Sequence, residues 1–216
     1  MIRKIYCDDE RLHFKELEIN QRLNILVGGN GVGKTTLLNG IHENCYKMDT
    51  NKNIEIIKYS NSRDNIRVKT GLNMTTPQLV AYANAKSMSE GQSIMYSIVS
   101  FFAKLKEEAL ELDNKNKSLV VVLDEVDSGL SVDAINVVMH FICDMLKNYK
   151  NTQFFVSSNN YHFTYIQKDV INMYTGRYKK INSYEEYFEL MISGMQMVGK
   201  KSDYSFLDET KWWNGM

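Results

Sequence analysis

Apolar and polar positions alternate in short runs at the start of the chain. Residues 1–20, MIRKIYCDDERLHFKELEIN, do so around a charged turn, which predicts a β-hairpin. LNILVG (23–28) is a short apolar run ending in glycine, the pattern of a buried strand. Thr35 to Met48 then carries Leu37, Leu38 and Ile41 at helical spacing, and IEIIKYS (54–60) and DNIRVKT (64–70) read as further strands. The strongest helical stripe is Ile94, Ile98, Phe101, Phe102, Leu105 and Ala109, within a helix over Ser93 to Leu112. After the polar break DNKNKS, the branched run LVVVLDE predicts a fully buried strand. Val132 to Tyr149 repeats the helical stripe, and TQFFVSS is another buried strand. VINMYTGRYKKI predicts a hairpin across Thr175-Gly176, and Tyr184 to Val198 a last helix. Strands alternating with helices imply an α/β sandwich with a largely parallel core sheet, preceded by N-terminal antiparallel strands.

Bulk composition narrows this picture only a little. A length of 216 residues suits a single domain, expected over 1–198, with a tail over 199–216. Lys plus Arg and Asp plus Glu each count 26, so no global basic field advertises nucleic acid. Cys7, Cys45 and Cys143 are scattered and odd in number, as expected of reduced thiols in a cytoplasmic compartment. No apolar run reaches the ~18 residues of a membrane span, and no signal-peptide core is present, so no membrane association is expected.

The chemistry lies in two stretches. GGNGVGKTT (28–36) fits G-x-x-x-x-G-K-[ST], with Gly28, Gly33, Lys34 and Thr35 at the fixed positions, a strand before it and a helix after. Such glycines turn successive backbone N–H groups onto α- and β-phosphates at the positive end of a helix. Lys34 is then placed for the β/γ oxygens and the Thr35 hydroxyl for Mg²⁺. SLVVVLDEVDSGLS (118–131) is an apolar strand ending in two acids. Asp124 is the expected Mg²⁺ partner and Glu125 the expected general base for an attacking water. Together the two stretches define a nucleoside triphosphatase.

The class of phosphate-loop protein comes from a third stretch, MSEGQS (88–93), taken with the order of the others. The chain resembles an ATP-binding-cassette-type ATPase, of the branch that includes the SMC and RecF-like DNA-maintenance ATPases. GGNGVGKTT, with Gly31 and Thr36 inside it, carries that superfamily's Asn30. MSEGQS is similar to the family signature L-S-G-G-Q at Ser89, Gly91 and Gln92, with Glu90 in place of a glycine. VVVLDEVDSGLS resembles the family's Walker B and the following D-loop, Ser128 to Asp133. The resemblance covers residues 1 to about 160 and implies ATP and Mg²⁺ as cofactors. It further implies a head-to-tail homodimer in which Ser89, Gly91 and Gln92 contact ATP bound to the partner subunit. The family's switch histidine falls on Asn159, with His162 three residues on as the alternative. An asparagine there takes up no proton near neutral pH, which predicts slow hydrolysis. Gln78 is aligned with the family's metal-sensing glutamine, although a helix start after Pro77 explains it as well. Arg63 and Arg67 lie where SMC-like heads place a nucleotide arginine, and exposed strand charges would look the same.

The interval between Lys34 and Ser89 is too short for a transporter's helical subdomain or an SMC coiled coil, leaving a minimal lobe around 71–90 at most. The leading expectation is therefore a bare ATPase head in DNA maintenance, genome defence or a mobile-element system. A nucleotide-switched module that gates a partner protein is the second, and a transporter ATPase subunit the third. RYKK (177–180) and GKK (199–201) are the candidate DNA contacts, against ordinary solvated faces. Trp212 and Trp213 are either a partner anchor or packed back on the head.

Overall fold

The computed structural model describes residues 1–50, 53–64 and 88–197. Gln78, Arg67, the expected lobe up to residue 87, the 199–201 cluster and the two tryptophans lie outside those residues, as does all but Asp64 of the strand expected over 64–70.

A six-stranded sheet forms the centre, in the order β5 (Ile54–Ser60), β6 (Ser118–Asp124), β7 (Thr152–Ser157), β3 (Leu23–Val27), β8 (Asp169–Asn172) and β9 (Arg177–Lys180). Every pairing is parallel except that of β8 with β9 at one edge. The middle strands β3, β6 and β7 are buried at every residue, as unbroken apolar runs must be when both faces of a sheet are covered. Helix α1 (Lys34–His42) packs on β5, β6 and β7. The amphipathic helices α3 (Glu90–Asn114) and α4 (Val132–Asn148) pack on each other and on β6 and β7. Between β5 and α3 the described residues include one short helix, α2 (Asn61–Asp64), and after β9 comes α5 (Tyr184–Met197). No helix among the described residues is long and apolar enough to cross a membrane.

A second, antiparallel sheet is ordered β2 (Glu16–Glu18), β1 (Ile2–Tyr6), β4 (Lys47–Thr50). The hairpin expected from residues 1–20 is its β1–β2 pair. Strand β4 corrects the sequence reading, which carried helix α1 on to Met48. The helix stops at His42, and Asn44 takes a left-handed conformation (φ 56°) that reverses the chain. Tyr46 then folds back over Gly40, where a side-chain Cβ would collide with its ring. The two sheets are tied by one buried amide. Ile2 N–H donates to Gln153 Oε1 (2.8 Å), and Gln153 Nε2 donates to Ile2 O (3.1 Å). Arg22, just before β3, donates to the carbonyls of Thr152 (3.0 Å), Leu146 (2.8 Å) and Tyr149 (2.6 Å), which closes the carbonyl end of α4 against β7.

Candidate functional site

The parallel strands β3, β6 and β7 end together, and the loops after them meet in one cleft of about 580 Å³. Ligand pockets of this fold class form at that edge and commonly have this size. Asn30, Gly31 and Gly33 line it from the loop after β3, Lys34, Thr35 and Thr36 from the start of α1, Glu125 from the end of β6 and Asn159 from the loop after β7. Arg11, Asp127 and Ser128 complete the lining.

The phosphate loop is shaped by its glycines. Gly31 and Gly33 have φ of 82° and 98°, a region that side-chain-bearing residues rarely adopt. A Cβ at Gly31 would meet nothing within 4 Å, so its backbone faces open space in the cleft. At Gly33 a Cβ would run into Leu12 of the β1–β2 loop, which covers the phosphate loop from outside. The Gly29 N–H donates to the Tyr174 hydroxyl (2.7 Å), anchoring the loop to the β8–β9 turn. Lys34 is buried, and its ammonium donates to loop carbonyls, Gly28 O at 2.6 Å and Gly29 O at 3.2 Å. Burial lowers its pKa from the ordinary lysine value, while Asp127, Glu125 and Asp124 pull the other way.

Asp124, buried at the end of β6, joins three elements. Its Oδ1 accepts from Thr35 Oγ1 (3.1 Å) on α1 and from Ser157 Oγ (2.8 Å) on β7, and its Oδ2 faces Lys58 Nζ (3.3 Å) on β5. Ser157 Oγ also accepts the Glu125 N–H (2.9 Å). That bond fixes Glu125 in a left-handed conformation (φ 53°), uncommon for a non-glycine residue and found where function holds a side chain in place. Its side chain is exposed toward the cleft. Asp127 Oδ2 accepts from Ser158 Oγ (2.9 Å) and from the Asn159 N–H (3.0 Å). Burial raises the Asp127 pKa, opposed by those two donors. Asn159 Nδ2 in turn donates to Asn30 Oδ1 (3.4 Å), bridging the loop after β7 to the phosphate loop.

The arrangement fits a nucleotide with a magnesium ion. It offers free loop backbone, a buried ammonium, and hard oxygen donors in Thr35 Oγ1 and the Asp124 carboxylate. No cluster of three or more His, Cys, Asp or Glu suited to a metal occurs among the described residues. Magnesium needs none, since one or two protein oxygens suffice when phosphates and waters complete its shell.

Other sequence-predicted residues stand apart from this cleft. Ser89 caps α3 in a capping box: its Oγ accepts the Gln92 N–H (3.3 Å), and Gln92 Oε1 accepts the Ser89 N–H (2.9 Å). A Cβ at Gly91 would come 3.4 Å from Gly129 O, so the helix start is set closely against the D-loop of its own chain. Arg63 is exposed on α2, 3.8 Å from Asp64. His162 sits in a 3-10 turn (Tyr161–Tyr165) with its Nδ1 2.9 Å from Asn160 Oδ1, and it is Asn159 that reaches the cleft. The basic stretch Arg177–Lys180 is the edge strand β9. Sequence reasoning missed Arg11, Lys58, Asp127 as a switch-loop acceptor, Ser157, Ser158 and Tyr174.

Fold and site together define a phosphate-loop nucleotide-binding domain, with the phosphate loop and the acidic strand end meeting at one cleft. The chain belongs to the AAA domain family, whose model matches residues 2–193. No curated protein matches it. Among solved structures it is similar to a metal-chelate type ABC transporter in an inward-facing conformation, at 16% identity over 87% of each chain (TM-score 0.48). It is also similar to the ATP-binding cassette MJ0796, solved as a dimer bound to ADP and Pi, at 14% identity over 85% of this chain and 97% of that one (TM-score 0.44). A third is cbiO1 from Clostridium perfringens, part of an ABC transporter complex, at 15% identity over 92% and 98% (TM-score 0.40).

Proposed function

We propose that the chain binds Mg-ATP in this cleft, hydrolyses it slowly, and dimerises head to tail around two ATP molecules. The observation that carries the reading is the junction at Asp124. There the phosphate-loop helix, through Thr35, meets the acidic strand end, beside a buried Lys34 whose ammonium donates to backbone carbonyls. Lys34 and N–H groups of the phosphate loop around Gly31 and Gly33 hold the phosphates. Thr35 and Asp124 would hold magnesium, which would supply positive charge against the phosphates. Glu125, fixed by the Ser157 hydroxyl, orients and deprotonates the attacking water. Asn159 donates a hydrogen bond to the γ-phosphate or that water without exchanging a proton, which keeps turnover slow. Ser89, Gly91 and Gln92 serve the partner's nucleotide. Their place outside their own chain's cleft, at the positive end of a helix, supports that role. Arg63 and Gln78 are kept as nucleotide and metal contacts on the family resemblance alone.

As to process, we favour an ATP-gated head in DNA maintenance, genome defence or a mobile-element system. A protein-gating module is the second reading, supported by exposed Tyr165, Tyr184 and Phe188, grouped with Tyr161 close after Asn159. A transporter subunit would share the same head. ATP-dependent, salt-sensitive retention on DNA separates the first reading from the other two. The biochemical claim is tested by ATP binding and phosphate release from wild type, Lys34→Ala and Glu125→Gln. Glu125→Gln should keep ATP binding and lose about 10²-fold or more in kcat, and Lys34→Ala should lose binding. Phosphate release by Glu125→Gln at the wild-type rate would remove Glu125 from the mechanism.

A further inference from the structure

Lys58 is an unexpected cation at the acidic strand end. In IEIIKYS it occupies one position of β5, paired in register with Val122 of β6. Its side chain is 4% exposed and that of Asp124 3%, so the pair is taken out of water. An apolar side chain would fill such a place without the desolvation that a buried ion pair costs, so packing alone gives no reason for a charge here. The ammonium reaches Asp124 Oδ2 (3.3 Å) and is held from its other side by Asn39 Oδ1 on α1. Asp124 therefore has donors on both oxygens: Thr35 and Ser157 on Oδ1, Lys58 on Oδ2.

We propose that Lys58 is a built-in countercharge for Asp124, a positioning residue that satisfies this carboxylate without a metal and weakens the site's hold on a divalent cation. The inference rests on the Mg-ATP reading above. A lone buried carboxylate beside Thr35 attracts a dication strongly, whereas a carboxylate already paired with an ammonium presents no net charge to it. Asn39 gives the ammonium a second acceptor on its far side, so Lys58 keeps a partner when Asp124 turns toward a metal. Nucleotide affinity in this protein should then depend only shallowly on magnesium.

The experiment measures the affinity of a fluorescent ATP analogue in excess Mg²⁺ and in EDTA, and takes the ratio of the dissociation constant in EDTA to that in Mg²⁺. Lys58→Gln keeps a donor for Asp124 and removes the charge, and it should raise that ratio by about tenfold over wild type. Lys58→Arg keeps the charge and should leave the ratio near the wild-type value. Lys58→Met, which fills the space without polar atoms, serves as the second neutral variant where circular dichroism finds Lys58→Gln unfolded. A ratio unchanged in a folded neutral variant overturns the proposal while leaving the ATPase reading intact. Wild type that binds no analogue in either buffer overturns both.

Discussion

At the residue scale the cleft is organised by a few polar side chains that each touch two elements. Ser157 is the clearest, since one hydroxyl donates to Asp124 and accepts from Glu125 N–H. Lys34 yields a pH prediction. Its pKa is lowered by burial, so in the nucleotide-free fold it loses its proton at a lower pH than a free lysine. The neutral amine attracts phosphate less, so ATP affinity should fall as pH rises toward that depressed value, before 10.5 is reached. A calorimetric titration of ATP at steps from pH 7.5 upward checks this, and an affinity flat up to pH 10.5 contradicts it. The Walker residues were legible in the sequence because their roles need only fixed local spacing: Gly28 to Thr36 is one turn, and Asp124-Glu125 one strand end. Lys58, Asp127, Ser157 and Ser158 were not, because their partners lie on other strands. In IEIIKYS a lysine looks like an alternating exposed position, and only the parallel pairing of β5 with β6 turns it onto Asp124.

At the scale of elements, hydrophobic periodicity located the central strands and the two long helices, since buried strands and amphipathic stripes leave strong patterns. It failed at the end of α1. KMDT (47–50) has no strong strand pattern and follows a helical stripe, so the antiparallel pairing with β1 that makes it a strand is a tertiary effect. Gly40 records the same turn and allows a prediction with an unusual sign. Gly→Ala inside a helix ordinarily gains about 1 kcal/mol. Here the new methyl strikes the Tyr46 ring, and overpacking of that kind costs about 1–3 kcal/mol. Gly40→Ala should therefore lower Tm by a few degrees, at about 2–4 °C per kcal/mol for a chain of this size. A thermal melt that rises instead would mean that Tyr46 swings away freely. The start of α3 shows a further coupling between elements. Gly91 lies against Gly129 O, and a Cβ at Gly129 would meet Ile94, so the start of α3 and the loop after β6 are packed closely together.

For the whole molecule, one cleft gathers the phosphate loop, the acidic strand end and Asn159, while Ser89, Gly91 and Gln92 stand outside it. A single head thus holds two separate halves of the proposed machinery, and a head-to-tail pair would bring each half to its complement. The capping box fixes Ser89 at its own helix start and takes up the N–H groups of Ser89 and Gln92, so a partner's phosphate would meet the positive end of the helix rather than those two donors. The most direct test is the solution mass of Glu125→Gln, measured by light scattering without nucleotide and with Mg-ATP. Removing the base should let ATP persist, so the mass should double with Mg-ATP and stay monomeric without it. Adding Ser89→Arg should abolish the doubling while leaving ATP bound. A mass that never changes although ATP is bound would contradict the clamp and reduce Ser89 to a helix cap.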